Sequence, residues 1–171
     1  TSGYTFETWV QFLSSSSQEQ AIAQHKAFES WGDGWLLTEQ NGAFHWGVVE
    51  GYGWGFDSWL DIDLNIDTWF HLAWSTDGES FHNLYINGEL VDTQTTSFVN
   101  PGNEHFYLGR YKDGVHDFFG NINIDECRYW NNALSQSEIQ EIMYNVNSND
   151  ENLLAHYKFN AGTGTILYDH S

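Results

Sequence analysis

The sequence predicts an all-β fold, an antiparallel sandwich carrying a single short helix near its C-terminal end. Three observations carry that expectation. Apolar and polar residues alternate with period two along most of the chain, Asn-Gly turns join the alternating runs, and one stretch changes to helical spacing. The clearest case is Trp69-Phe-His-Leu-Ala-Trp-Ser-Thr-Asp-Gly78, followed by Leu84-Tyr-Ile-Asn-Gly-Glu-Leu-Val91. It reads as a strand, an Asp77-Gly78 turn and a hairpin through Asn87-Gly88, because a type I′ turn wants positive φ at both central positions.

The remaining elements follow in order. Tyr4, Phe6, Thr8, Val10 and Phe12 fall on one face of the first strand. Trp35-Leu-Leu-Thr38 and Ala43-Phe-His-Trp-Gly-Val-Val49 form a hairpin over Gln40-Asn41-Gly42. Strands are expected at Phe70–Thr76, Leu84–Ile86, Glu89–Thr93 and Phe106–Gly109, then along Phe119–Trp130. Ser135-Gln-Ser-Glu138 has the form of a capping box, and Ile139, Ile142, Met143 and Val146 follow at helical spacing. This helix is expected as a lid on the sandwich edge. Leu153-Leu-Ala-His-Tyr-Lys-Phe159 supplies a last strand that covers an otherwise open edge.

Composition narrows the function classes. The 171 residues suffice for one domain, residues 1–171, with a two-sheet core. Lys+Arg 5 against Asp+Glu 24 gives a net charge of −19, which repels phosphate backbones and anionic bilayers. Nucleic acid and direct membrane insertion are therefore not expected. The single cysteine, Cys127, rules out an internal disulfide and reads as a small buried apolar residue. No apolar run approaches membrane-spanning length. The chain starts almost inside its first strand and stops just past its last, as a segment of a longer multidomain protein would.

In their order and spacing, several segments resemble the laminin G-like branch of the concanavalin A-like lectin/glucanase superfamily. They are Tyr4-Thr-Phe-Glu-Thr-Trp-Val10, Trp69-Phe-His-Leu-Ala73, Leu84-Tyr-Ile-Asn-Gly-Glu-Leu-Val91, Leu108-Gly-Arg110 and Gly120 through Leu134. The resemblance implies a jelly-roll of two curved antiparallel sheets, and a secreted or cell-surface protein. Relatives include carbohydrate-binding modules, lectins, pentraxins, adhesion domains and glycoside hydrolases, so fold alone does not fix function.

A retaining glycosidase needs two carboxyl groups roughly 5 Å apart. Glucanases of this superfamily place them at alternate positions of one strand. Here Asn121-Ile-Asn-Ile-Asp-Glu126 puts Asp125 and Glu126 on opposite faces. Asp61 and Asp63 share a face if residues 60–64 form a strand, but nothing around them resembles a hydrolytic signature. The expectation is a non-enzyme.

Aromatics make up 18% of the chain, more than a sandwich core uses. Trp31-Gly-Asp-Gly-Trp35 and Glu50-Gly-Tyr-Gly-Trp-Gly-Phe-Asp-Ser-Trp59 interleave rings with glycines, a pattern of turned loops. Exposed indoles suit the C–H faces of pyranose rings. Trp31, Trp35, Tyr52, Trp54 and Trp59 are thus candidate glycan ligands, with burial in the core the competing reading for each. Trp9, Trp69, Trp74 and Trp130 read as core. The loop Arg110-Tyr-Lys-Asp-Gly-Val-His-Asp117 adds Arg110, Lys112 and His116, which either grip an acidic sugar or pair with local acids.

Calcium enters through the resemblance. Where pentraxins carry a Glu-x-Asp cluster, this chain has Arg110-Tyr-Lys-Asp113, so the double-calcium pattern is broken at Tyr111. A single structural Ca²⁺ on Asp113, Asp117 or Asp169 and simple exposed acids both remain open. The expected function is a non-catalytic, lectin-like module for a polysaccharide or glycan. The alternatives are an adhesion domain that binds a protein or another domain of the same chain, and a divergent glycoside hydrolase.

Overall fold

The structure, a computed structural model, describes residues 3–26, 34–50, 53–62, 65–97, 105–112 and 115–171. The elements begin with β1 (Tyr4–Phe12), β2 (Gln20–Lys26), β3 (Gly34–Gln40), β4 (Ala43–Glu50) and β5 (Gly53–Asp61). Next come β6 (Trp69–Thr76), β7 (Phe81–Ile86), β8 (Glu89–Thr95), β9 (Phe106–Leu108), β10 (Arg110–Lys112) and β11 (Asp117–Phe119). Last are β12 (Ile122–Trp130), α1 (Gln136–Ile142) and β13 (Leu153–Tyr157). Two main antiparallel sheets result, ordered β13-β12-β1-β6-β7-β8 and β5-β4-β3-β2-β9, with a β10–β11 ribbon. The chain divides into two interleaved units, residues 1–10, 69–95 and 124–171 in one and residues 11–68 and 96–123 in the other.

Both expected Asn-Gly hairpins form. Asn41 and Gly42 have φ of 54° and 86°, Asn87 and Gly88 51° and 77°, the left-handed pair a type I′ turn requires. Two expectations need correction. Residues 53–59, read as part of a glycine-rich loop, lie in edge strand β5, which pairs with β4 on both sides of a bulge. Strand β2 was not anticipated, because its alternation is masked by alanines and by two buried glutamines.

In the unit built on the six-stranded sheet, α1 starts where the capping box places it. Ser135 Oγ accepts from the Glu138 backbone N–H, and Glu138 Oε2 accepts from the Ser135 N–H at 2.7 Å. The helix covers the sheet's face, not its edge. Ile139 and Leu134 pack with Ala73, Tyr85, Trp130 and Leu153, which lie on β6, β7, β12 and β13. Burying Ile139 contributes about 2 kcal/mol. Trp9 donates to the Met143 carbonyl at 3.0 Å and Ser75 to that of Leu134 at 2.9 Å, tying the helical segment down at both ends.

The same face holds a buried ionic row. Glu7 on β1 accepts from Arg128 Nη1 at 3.0 Å and from Trp130 Nε1 at 3.2 Å. Its other oxygen meets His71 Nε2 at 2.9 Å. Arg128 reaches Glu126 at 2.6 Å, and Glu126 also meets His156 Nε2 at 2.7 Å. Burial pushes the Glu7 carboxyl up, but His71 and Arg128 outweigh it and hold the group below the usual carboxylate range. Glu126 behaves alike, burial being outweighed by His156 and Arg128. Glu126 has a left-handed backbone, φ 49°, which interrupts the strand alternation expected at Asp125-Glu126. Cys127 is buried, as expected, and burial pushes its thiol well up.

Edge strand β13 is covered by the chain's last residues. The His156 N–H donates to Asp169 Oδ1 at 2.9 Å, and the His170 N–H donates to the His156 carbonyl at 2.8 Å.

Two outcomes are expected. Arg128→Met strands a buried carboxylate and lowers stability by about 3–5 kcal/mol in urea unfolding, while adding Glu7→Gln recovers much of that loss. Burial depresses His82, against the opposing charge of Asp77, to about 4 from an ordinary 6.5, and burial also lowers His156. Between those values the unfolded chain holds the extra proton, so stability is full above the ordinary histidine range and is lost as pH falls toward about 4. Thermal melts at stepped pH should show that decline, with His82→Gln flattening it.

Candidate functional site: an aromatic platform on β4 and β5

The unit built on the five-stranded sheet carries the site. Strand register fixes which side chains meet: His45 on β4 lies opposite Trp59 on β5, and Gly47 lies opposite Asp57. A bulge between Val48 and Val49 shifts the pairing, so that Val49 meets Trp54. Positions two apart on a strand share a face, which brings His45, Gly47, Asp57 and Trp59 to one side.

His45 is buried at the centre of this group. The Trp59 ring is stacked on it, with centroids 4.1 Å apart and planes 3° from parallel. Trp54 meets the same imidazole edge-on at 5.4 Å and 62°. Nδ1 of His45 contacts Glu19 Oε1 at 3.0 Å and Thr38 Oγ1 at 3.2 Å. Asp57 Oδ1 comes within 2.7 Å of Nε2, a close polar contact lying off the line of a hydrogen bond. A cluster of one imidazole, two indoles and two carboxylates is therefore fixed to the sheet. Trp54 remains 37% exposed and Trp59 46% exposed.

Gly47 is the position that admits this geometry. A Cβ there would stand 2.6 Å from the Trp54 ring and 2.9 Å from the Phe56 carbonyl oxygen. Farther along the same face, Tyr111 of the β10–β11 ribbon packs with Ala21 and Leu36, backed by Phe118. Gln24 seats the ribbon by donating to the Lys112 carbonyl and accepting from the Lys112 N–H, both at 2.7 Å.

The other sequence candidates fall out differently. Trp35 is fully buried, edge-on to His25 at 6.3 Å, and cannot present a face to a ligand. Trp69, read as core, is 39% exposed because it opens β6. Trp31, Tyr52, Asp63 and Asp113 lie outside the described residues. Arg110 is held by Asp117 in a bidentate pair, 2.9 and 2.8 Å, rather than free to grip an acidic sugar. Lys112 stands 3.8 Å from the same carboxylate, and His116 stacks on Phe118 at 5.5 Å.

Two of the calcium candidates, Asp117 and Asp169, already accept from the chain's own donors. Both Asp117 oxygens face Arg110, which holds its carboxyl below the usual range. Asp169 Oδ1 accepts from two backbone N–H groups, those of His156 and Ser171. Among the described residues no three acidic, histidine or cysteine side chains converge as metal ligands. Nothing local in the sequence marks His45 or Glu19; only the strand pairing brings them to the indoles.

A profile of the laminin G-like, concanavalin A-like lectin/glucanases superfamily matches residues 1–140. The chain belongs to that superfamily. Its two antiparallel sheets and short helix are the corresponding jelly-roll elements. No curated protein sequence matches it. Among solved structures, a Bacteroides ovatus protein assigned carbohydrate binding matches with TM-score 0.77 and 18% identity, over 98% of this chain and 49% of that one. The ligand-binding domain of botulinum neurotoxin serotype D, in complex with N-acetylneuraminic acid, matches with TM-score 0.62 and 17% identity, over 83% and 36%. A Trypanosoma rangeli sialidase mutant with trans-sialidase activity gives 0.62 and 14%, over 81% and 22%. The chain spans half or less of these proteins' lengths, and at such identities the likeness establishes the fold.

Gly47→Ala should displace the Trp54 ring while leaving the His45–Trp59 stack in place. Because the added Cβ also presses on the Phe56 carbonyl of β5, the expected readout is a changed near-ultraviolet circular dichroism spectrum together with a clearly lowered melting temperature.

Proposed function

We propose that this chain is a non-catalytic carbohydrate-binding module and that its platform is formed by Trp54 and Trp59. The observation that carries the reading is the parallel stack of Trp59 on buried His45, with Trp54 set against the same imidazole. Two indoles held rigid and partly open to water suit the C–H faces of a pyranose, and the flanking Asp57 offers acceptors for its hydroxyls. Membership of a lectin/glucanase superfamily, and the carbohydrate-binding role assigned to the Bacteroides ovatus protein, support the same reading. Glu19 and Asp57 both engage His45, which favours binding over an acid and nucleophile pair for hydrolysis. A parent protein that meets glycans would be secreted or displayed at the cell surface.

A second reading, docking of a partner protein, draws on the unit of the six-stranded sheet. There exposed Tyr144 rests on Trp9 at 5.5 Å, and Trp69 is also open. Calorimetric titration against a polysaccharide panel separates the two. Trp54→Ala and Trp59→Ala are each expected to weaken glycan binding by about tenfold, since stacking of a ring on an exposed aromatic contributes on the order of 1 kcal/mol or more. Unchanged affinity in both would overturn the platform, and reducing-sugar release by the native protein would overturn the non-catalytic assignment.

A further inference from the structure

We infer that the platform selects neutral and amino-bearing glycans and rejects those carrying carboxylate or sulfate groups. This assignment of ligand class rests on the platform reading above. It comes from the charges around the rings, not from the rings themselves.

Asp57 stands beside Trp59 with its side chain 40% exposed, and Glu19, 20% exposed, touches the opposite nitrogen of the same imidazole. Two carboxylates against a single imidazole leave a net negative charge whichever state the imidazole is in. Asp61, two positions beyond Trp59 on β5, is exposed and falls on the same face by alternation. Strands β3, β4 and β5 contain no lysine or arginine to offset these groups. The cations of the β10–β11 ribbon do not offset them either: Arg110 is paired to Asp117 through both oxygens, and Lys112 faces the same carboxylate.

A pyranose laid on Trp59 therefore meets acceptors. Its hydroxyls can donate to Asp57, and a ring ammonium would gain a charged partner. A uronate or sulfate in the same pose would place like charges a few ångströms apart in a partly desolvated spot. The charge balance is lopsided chain-wide as well, at −19 in total. The serotype D toxin domain binds an acidic sugar on a similar fold, so the two chains would differ in the charge of the ligand they accept.

The test uses the intact chain with matched polysaccharide sets: β-glucan, mannan and xylan backbones, each as the neutral form and as a carboxylated, sulfated or amino derivative. Affinities are measured by calorimetry at low and high NaCl for wild type, Asp57→Asn and Trp59→Ala. The expected result is a neutral or amino form bound at least about tenfold more tightly than its anionic counterpart, dependent on Trp59. Asp57→Asn and added salt should each narrow that ratio. Trp59-dependent binding of an anionic form as tight as the neutral one would overturn the charge assignment and leave the platform standing. Absence of any Trp59-dependent binding across the set would overturn the platform and this inference with it.

Discussion

The imidazole of His45 is the fixed point of the β4–β5 face. It is buried, in contact with two carboxylates and a threonine hydroxyl, and it carries one indole flat against it and another on edge. Each contact restricts the others. A ring that pivoted away would expose the imidazole to water, and an imidazole that turned would strand Glu19 and Asp57. The rings are consequently held in place by the sheet itself, which would lower the entropic cost of any association on them. Gly47 belongs to the same constraint, since the sheet accepts the Trp54 ring only where a strand residue has no side chain.

The fold was largely legible from alternation and turn chemistry. Asn87-Gly88 and Asn41-Gly42 specify their turns because few other residue pairs accept two left-handed positions in succession. Ser135 and Glu138 specify the start of α1 by reciprocal hydrogen bonds that are local in sequence. Strand β2 escaped notice for the opposite reason. Gln20 and Gln24 are polar yet buried, because their carboxamides pair with backbone groups on neighbouring segments, as Gln24 does with Lys112. A side chain acting as a surrogate for main chain leaves no hydrophobic signature.

The site was legible only in part, and the division follows exposure. Trp54 and Trp59 lie on an edge strand, where each ring stays partly exposed. Trp35, with the same local sequence flavour, sits two strands further in, on β3, and is enclosed. Glycine spacing cannot distinguish these cases, since it was read as a loop and proved to be strand β5. His45 and Glu19 are joined to the indoles only by cross-strand register, a relation between distant residues. Arg110 illustrates a different limit: in so acidic a chain, an arginine meets a carboxylate of its own before it meets a ligand's.

The covered edge of β13 bears on how this unit behaves among many copies of itself. An open strand end exposes a row of unsatisfied amides and carbonyls on which a foreign strand can crystallise, the first step toward fibrous deposits. Residues 169–171 occupy part of that row with the chain's own groups. Copies of this unit held at high density would thereby find that border already taken.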